Sequence, residues 1–367
     1  MYIDGISVKQ LLHEKTIVFL FSFIIMTYIS FLWSPAQDIL GGNLKVNIMA
    51  YLNFFFIIPA IYCANFTKSQ IKLFFFLIII SPIIYISTYY TNYFNLTNII
   101  SLHMDPAGSK HLYVNLFSNL FILFSGVYFY TNFLLLLINK EYKKSLLYLI
   151  LFIVISISMV LTEATSSRLV TLSYLFSLIF ASIFLLSKKI KIIVLMVILV
   201  LSSTFLYQSE KFQKGFHEFQ DAYEKNEYEG SWGHRIKLAQ YGLEMFSKNP
   251  VFGRGTVDII DNMRQLRKEN PEDFHDATIH FHNQHIVILT QVGLVGYTLF
   301  LLFIYNLYKV NIKNKVLKTL KGCTIVMYMT LMFGEHYLQW VHTSTFLAVL
   351  VGLFLLYAKQ EKLKALN

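Results

Sequence analysis

Ten long runs of apolar residues occupy most of this chain, and each is long enough to cross a bilayer as a helix. A helix rises about 1.5 Å per residue, so roughly 20 apolar residues cover the hydrocarbon core of a membrane. A soluble fold of 367 residues could not bury a composition that is 56% hydrophobic and 14% charged. We therefore predict an all-α integral membrane protein. Its spans are residues 16–33, 44–63, 71–90, 113–138, 146–162, 169–187, 191–208, 286–307, 318–334 and 341–357.

Lysine distribution orients these spans. Eighteen lysines lie in the terminal segments and connections of one side, whereas the short connections of the other side hold only Lys45, Lys110 and Arg168. The positive-inside rule then predicts that both termini are cytoplasmic and that the polar segment 209–285 lies outside. The domains predicted are a bundle of about seven helices at 1–208, an outer loop with amphipathic helices at 209–285, and about three helices at 286–367.

The net charge of +10 follows mainly from this topology, and we predict no nucleic-acid partner. Arginine and histidine are distributed differently from lysine. All five arginines and ten of the eleven histidines fall on the predicted outer side. Small-number scatter is one explanation. The other is that the outer face carries the chemistry, because the planar guanidinium can grip a phosphate at two points. The two cysteines lie near cytoplasmic ends of spans, which excludes a cysteine nucleophile outside.

The outer loop contains a predicted amphipathic helix. Ser231 is placed to cap a helix that starts at Trp232 and ends at Asn249-Pro250. Its apolar stripe is Trp232, Ile236, Ala239, Leu243 and Phe246. This pattern indicates a helix that lies on the membrane or packs on the bundle.

The flanking parts of the loop have different compositions. The acid-rich residues 210–229 favour a solvated helix or coil. Gly253 and Gly255 permit a tight turn with close backbone approach. A second, charged helix is predicted at 261–276, broken near Pro271.

Two arginines are candidates for binding an anion. Arg168 follows Thr165-Ser166-Ser167, whose hydroxyls can also meet phosphate oxygens. It could instead snorkel to water from the end of its span. Arg235 lies on the first turn of the amphipathic helix, near the lipid boundary. The alternative to anion binding is a surface ion pair with a nearby Glu or Asp.

Three histidines, His280, His282 and His285, stand where the loop meets the next span. Their spacing allows a zinc site, although no carboxylate or cysteine stands at a usual ligand offset. One neutral imidazole would alternatively serve as a general base. Asn283 could cap the helix that follows or orient its neighbours. We predict no metal and no cofactor. The sequence also has no P-loop and no Gly-x-Ser-x-Gly elbow.

The order of these motifs resembles the O-antigen ligase and polymerase superfamily. The resemblance covers roughly residues 160–305. It consists of Thr-Ser-Ser-Arg at 165–168, Gly-His-Arg and its helix at 233–247, Asn-Pro-Val-Phe-Gly-Arg-Gly at 249–255, His-Phe-His-Asn-Gln-His at 280–285, and Val-Gly-Leu-Val-Gly at 292–296.

The resemblance implies a bacterial inner-membrane glycosyltransferase with its active face in the periplasm. Such an enzyme moves a glycan from undecaprenyl-diphosphate to a lipid A–core hydroxyl, without metal and with inversion. Arg168 and Arg235 would hold the donor diphosphate. The family usually has an apolar residue at the position of Arg254, which would either add a third phosphate contact or be a local variation. His282 would be the catalytic base, supported by Asn283, His280 and Ser166.

Three other functions remain open at this stage. An O-antigen polymerase uses the same donor with a second carrier-linked glycan as acceptor. Transfer to a protein hydroxyl is another reaction of the same kind. A lipid-glycan flippase would need polar groups through the whole depth of the membrane, whereas here they gather on one face.

Overall fold

The computed structural model describes residues 8–34, 42–93, 110–161, 168–208, 210–256, 258–269 and 281–366. Over these ranges the secondary structure is helical, with no strand. The helices are α1 Val8–His13, α2 Lys15–Ile29, α3 Gly42–Cys63, α4 Lys68–Tyr93, α5 Lys110–Ile138, α6 Tyr142–Leu161, α7 Arg168–Leu185, α8 Lys188–Gln208, α9 Glu210–Glu224, α10 Gly230–Lys248, α11 Asp258–Glu269, α12 Gln284–Lys309, α13 Lys315–Leu331 and α14 Val341–Leu366, with a 3₁₀ turn at Ser30–Trp33.

A helix lies over each of the ten predicted spans. In the described part of the chain, four segments are long and apolar enough to cross a membrane: Lys15–Trp33, Asn119–Ile138, Gln284–Lys309 and Val341–Ala365. Two shorter apolar helices cover Ala50–Cys63 and Leu169–Leu185. The all-helical membrane class is thereby confirmed. The number of ten spans and the outer position of the loop stay predictions.

The surface of the helices supports a lipid environment. On α6 and α8, large apolar side chains are half exposed along whole helix faces, among them Leu146, Ile150 and Ile157 on α6 and Ile192 and Met196 on α8. Such extended apolar surface is unfavourable in water and is normal against lipid tails.

The chain forms two compact units. One consists of residues 64–201, 311–328 and 353–367. In it, the chain turns at Asn139–Glu141 between α5 and α6, and α5 packs against α6 and α7. Tyr130 shares a 2.6 Å hydrogen bond with Ser182, and Tyr174 shares one of 3.0 Å with Ser156. Interhelical hydroxyl contacts of this kind hold membrane helices together where lipid removes the hydrophobic driving force.

The other unit consists of residues 1–63, 202–310 and 329–352. Here α2 packs along α12, and α10 packs against both α9 and α12. Asn53 of α3 donates to the hydroxyls of Ser344 and Thr345 at 3.2 and 2.9 Å. This unit holds most of the predicted site residues, because α10, the glycine turn and the start of α12 all belong to it.

The prediction for α10 needs two corrections. The helix begins at Gly230, and Ser231 is not its cap. Instead the carboxylate of Glu218 on α9 accepts from the backbone N–H of Trp232 at 2.9 Å. The predicted stripe is also rotated from the buried face, which is formed by Gly233, Leu238, Gly242 and Met245, while Leu243 is half exposed.

The neighbouring helices refine the prediction for the loop. Residues 210–224 form α9, and the aromatic side chains of Phe216, Phe219 and Tyr223 stand exposed on it. The second charged helix is α11, Asp258–Glu269. The remainder of its predicted range, from 270 to 276, lies outside the described residues.

Candidate functional site

The site centres on a pair of side chains that are far apart in sequence. The Nδ1 atom of His282 lies 3.0 Å from Oε2 of Glu335. Glu335 follows the end of α13 and is nearly buried, with 11% of its side chain exposed, while His282 keeps 25%. The pair is therefore shielded from bulk water yet open at the histidine. Low access to water strengthens the interaction between such groups.

The chemistry of the pair determines its proton positions. An ionised carboxylate can only accept a hydrogen bond, so Nδ1 of His282 carries the proton and donates it. Nε2 then holds the lone pair and is the basic atom of the ring. The other oxygen of Glu335 accepts from the backbone N–H of His336 at 3.0 Å, which fixes the carboxylate. A histidine oriented by a carboxylate is a suitable general base.

Backbone geometry holds His282 in place. Its φ of 48° lies in the left-handed region, which costs a non-glycine residue energy unless the surroundings impose it. On one side, Phe281 is fully buried in a cluster with Leu238, Met245, Ile259, Met263, Ile286 and Val287. On the other side, Asn283 begins α12. The residue is thus held between a packed core and a helix start.

Asn283 caps α12. Its side-chain oxygen accepts from the N–H groups of His285 and Ile286 at 3.0 and 3.2 Å. This confirms the capping interpretation, and such a cap typically stabilises a helix by about 1 kcal/mol.

His285 has a structural role in this arrangement. Its Nε2 lies 3.0 Å from the carbonyl oxygen of Met329, and its Nδ1 lies 3.1 Å from the hydroxyl of Tyr297. A carbonyl only accepts, so Nε2 donates and Nδ1 accepts from Tyr297. Both ring nitrogens are engaged, which leaves His285 unsuited to the zinc alternative. Across the described residues there is no cluster of metal-ligating side chains, while His280 lies outside them.

Tyr337 is influenced both by Arg235 and by Glu335 of the His282–Glu335 pair. Burial raises the pKa of the Tyr337 hydroxyl, the charge of Glu335 raises it further, and the charge of Arg235 lowers it. The two charges have opposite effects on this phenol because one is negative and the other positive. Glu335 thus interacts both with His282 and with Tyr337, and the charge of Arg235 acts on the same phenol. A shared site for Arg235 and His282 stays a prediction.

Buried amides tie the segment around Glu335 to α12. The backbone N–H of Gln284 donates to the carbonyl of Met332 at 2.8 Å, and its side-chain oxygen accepts from Leu338 at 3.2 Å. Two turns further along α12, Gln291 accepts from the side chain of Gln339 at 3.3 Å. These bonds hold Glu335 beside His282.

The two glycine motifs form one structural element. At Gly293, α12 leaves helical geometry, with φ 63° and ψ −165°. The backbone N–H groups of Arg254 and Gly255 donate to the carbonyls of Thr290 and Gln291 at 2.8 and 3.0 Å. In return, the N–H groups of Leu294 and Val295 donate to the carbonyls of Pro250 and Val251 at 2.8 and 3.1 Å. The 249–255 segment thus satisfies the backbone of a broken membrane helix.

Glycine is required where these backbones meet. Gly253 and Gly293 both have positive φ. A Cβ on Gly253 would lie 2.5 Å from the carbonyl of Gln291, and a Cβ on Gly293 would lie 2.3 Å from the carbonyl oxygen of Val251. The close approach expected from the sequence is confirmed, and its partner is α12.

Arg254 is partly neutralised in this structure. Its Nε contacts the carboxylate of Asp258, which is almost completely buried, and the arginine side chain is 22% exposed. The ion pair links the turn to the first residue of α11. A phosphate would have to compete with Asp258 for this guanidinium.

In the part of the chain that it describes, the structure does not bring the remaining predicted site residues to the His282–Glu335 pair. Arg168 is the first residue of α7, in the other unit. Ser166 and His280 lie outside the described residues. Glu335 is the residue that sequence reasoning missed. Its available signal was a lone carboxylate at the predicted outer end of a span.

A comparison with known families adds to this geometry. Residues 150–301 match the family model described as O-antigen ligase. The matched range includes Arg168, Arg235, His282 and both glycine motifs, and it ends before Glu335. It confirms the superfamily resemblance that the motifs indicated. No curated protein gives a significant match to the chain.

Proposed function

We propose that this chain is an O-antigen ligase that transfers a glycan from undecaprenyl-diphosphate to a lipid A–core hydroxyl on the periplasmic face of the bacterial inner membrane. One observation carries the proposal: Nδ1 of His282 lies 3.0 Å from the carboxylate of Glu335, which orients the ring as a base. The family match supports glycan transfer of the ligase and polymerase kind.

The reaction can be written with these groups. Nε2 of His282 takes the proton of the acceptor hydroxyl as its oxygen attacks the anomeric carbon of the donor sugar. The bond from that carbon to the diphosphate oxygen breaks, and undecaprenyl-diphosphate leaves with the electron pair. Attack opposite the leaving group inverts the configuration. The negative charge of Glu335 stabilises the imidazolium that forms.

The leaving diphosphate gains negative charge, and a fixed cation stabilises that charge without solvent reorganisation. Arg235 is our first choice for this role, because its charge acts on Tyr337, which follows Glu335 by two residues. Arg168 is proposed as a second donor ligand on the sequence motif alone. Arg254 is a weaker choice, since Asp258 already pairs with it.

We expect Arg235→Lys to retain binding of the donor but to slow transfer. Lysine keeps the charge and loses the planar fork, so at least one charge-assisted hydrogen bond is lost. At about 1.5 kcal/mol this corresponds to a fall in rate of roughly 10-fold. Arg168→Lys should behave alike, and Arg264→Lys on the exposed side of α11 is the control. Full activity of Arg235→Lys would remove this residue from the site.

The ligase and polymerase functions differ in their acceptor. Purified enzyme in proteoliposomes is given undecaprenyl-diphosphate glycan, with lipid A–core in one sample and no added acceptor in the other. We expect glycan attached to lipid A–core only in the first sample. Elongated carrier-linked glycan in both samples, with none on the core, would establish a polymerase.

A further inference from the structure

Surface exposure along α12 changes at the break. Between Gln284 and Gly293 nearly every residue is buried, whereas Leu294 is 51% exposed and Val295 also faces outward. Beyond them Leu301 and Tyr305 continue the exposed apolar face. A helix segment covered on all sides by protein has no surface for lipid, so the lipid-facing part of α12 begins at Leu294.

The two parts of α12 are not collinear. The Tyr297 hydroxyl reaches Nδ1 of His285 at 3.1 Å, across twelve positions of sequence. In a straight helix these positions would stand about 18 Å apart, farther than the two side chains can bridge. The break at Gly293 therefore bends α12 sharply and turns its first part away from the direction of the span.

An apolar surface patch lies beside the break in α12 at Gly293. Its members are Leu32 and Trp33 from the 3₁₀ turn that follows α2, Val251 and Phe252 from the glycine turn, and Leu294 and Val295 from α12. The Trp33 and Phe252 rings are 6.5 Å apart, and the turn is bonded to α12 through Pro250 and Val251. Phe252 is 57% exposed and Leu32 85%. We refer to these six residues as the turn patch.

The turn patch continues the lipid-facing stripe of α2. Ile25 and Ile29 are exposed on that helix, and Leu32 follows them in the 3₁₀ turn. Lys15–Trp33 covers roughly 30 Å, the thickness of a hydrocarbon core, and it ends in a tryptophan, a residue enriched at membrane interfaces.

We propose that the turn patch docks on the outer leaflet at the edge of its hydrocarbon, and that the membrane span of α12 begins at Leu294 rather than at Gln284. The partner is a lipid surface: the six side chains are all uncharged, and the nearby Arg254 is paired with Asp258. The glycine turn is then a surface anchor, and the first part of α12 lies outside the hydrocarbon.

This placement has a consequence that rests on the proposed function. The sharp bend keeps His282 near the lipid surface, whereas a straight α12 would project its first residue roughly 14 Å beyond Gly293. A donor diphosphate lies among the lipid headgroups, so the bend brings the base to the level of the bond that breaks.

Spin-label depth measurements test the placement without any assay of activity. Cys63 and Cys323 are replaced by alanine, and single nitroxides are placed at Phe252, Leu294 and Leu301 in proteoliposomes. Depth is read from collision with oxygen and with a water-soluble nickel chelate. We expect the labels at 252 and 294 near the outer hydrocarbon edge, and the label at 301 roughly 10 Å deeper. A label at Asn226, exposed between α9 and α10, is the water control.

Two outcomes would overturn the proposal. If α12 crossed as one straight span from Gln284 to Lys309, Leu294 would lie within a few ångströms of the bilayer midplane, at about 4 Å. A label at 252 as accessible to nickel as the label at 226 would show that the turn stands in water. Either result leaves the glycan-transfer proposal unaffected, because no catalytic residue is altered.

Discussion

Replacing His282 with alanine is expected to reduce glycan transfer by roughly 10²–10⁴-fold, the usual contribution of a general base. The His282 side chain belongs neither to the buried cluster around Phe281 nor to the helix cap formed by Asn283. The protein should therefore insert and fold normally. Transfer from undecaprenyl-diphosphate glycan to lipid A–core is measured with purified enzyme, and donor binding is measured in parallel.

His217→Ala is a matched control for that experiment, since His217 is exposed on α9 and should be dispensable. His285→Ala should act differently from both. It removes bonds to Met329 and Tyr297, so its main effect should be on thermal stability. Near-normal turnover of His282→Ala would refute the base assignment and direct attention to His336 or His342.

The parts of this fold that sequence predicts well are those set by local signals. Apolar length alone located every helix that lies over a predicted span, because the membrane forces each span to satisfy its own backbone. The Asn283 cap was also readable, since the cap acts on residues two and three positions ahead.

Long-range features were not readable in the same way. Ser231 has the right chemistry for a cap, yet Glu218 from another helix fills that role. The apolar stripe of α10 was misplaced because α11 and α12 select a different face for burial. Gly253 and Gly293 each indicate an unusual backbone, but only the fold shows that the two touch.

Within the candidate site, Glu335 is the clearest example of a residue that the sequence could not reveal. It stands 53 positions after its partner His282. No motif spacing links a base to a carboxylate that lies beyond the end of another helix. The bonds that bring it there run through Gln284 and Met332, which look like ordinary bundle residues in the sequence.

Glu335→Gln should lower the turnover number by roughly 10²-fold or more while leaving the KM for donor nearly unchanged, since much of the base contribution depends on this carboxylate. Glutamine has nearly the same shape, so packing is retained. It lacks the negative charge that stabilises the imidazolium. Its amide can also donate to Nδ1 of His282, which would place the ring proton on Nε2, the atom that must accept one.

The comparison that decides the role of Glu335 uses three measurements. Glu244→Gln, at an exposed carboxylate paired with Lys248, is the control and should be neutral. Thermal stability of Glu335→Gln separates a structural loss from a catalytic one. Combining it with His282→Ala should add little to the loss caused by His282→Ala alone, because a positioning residue has no effect once its partner is gone. Multiplying losses, or a rise in donor KM with an unchanged turnover number, would instead assign Glu335 to holding the substrate or the fold.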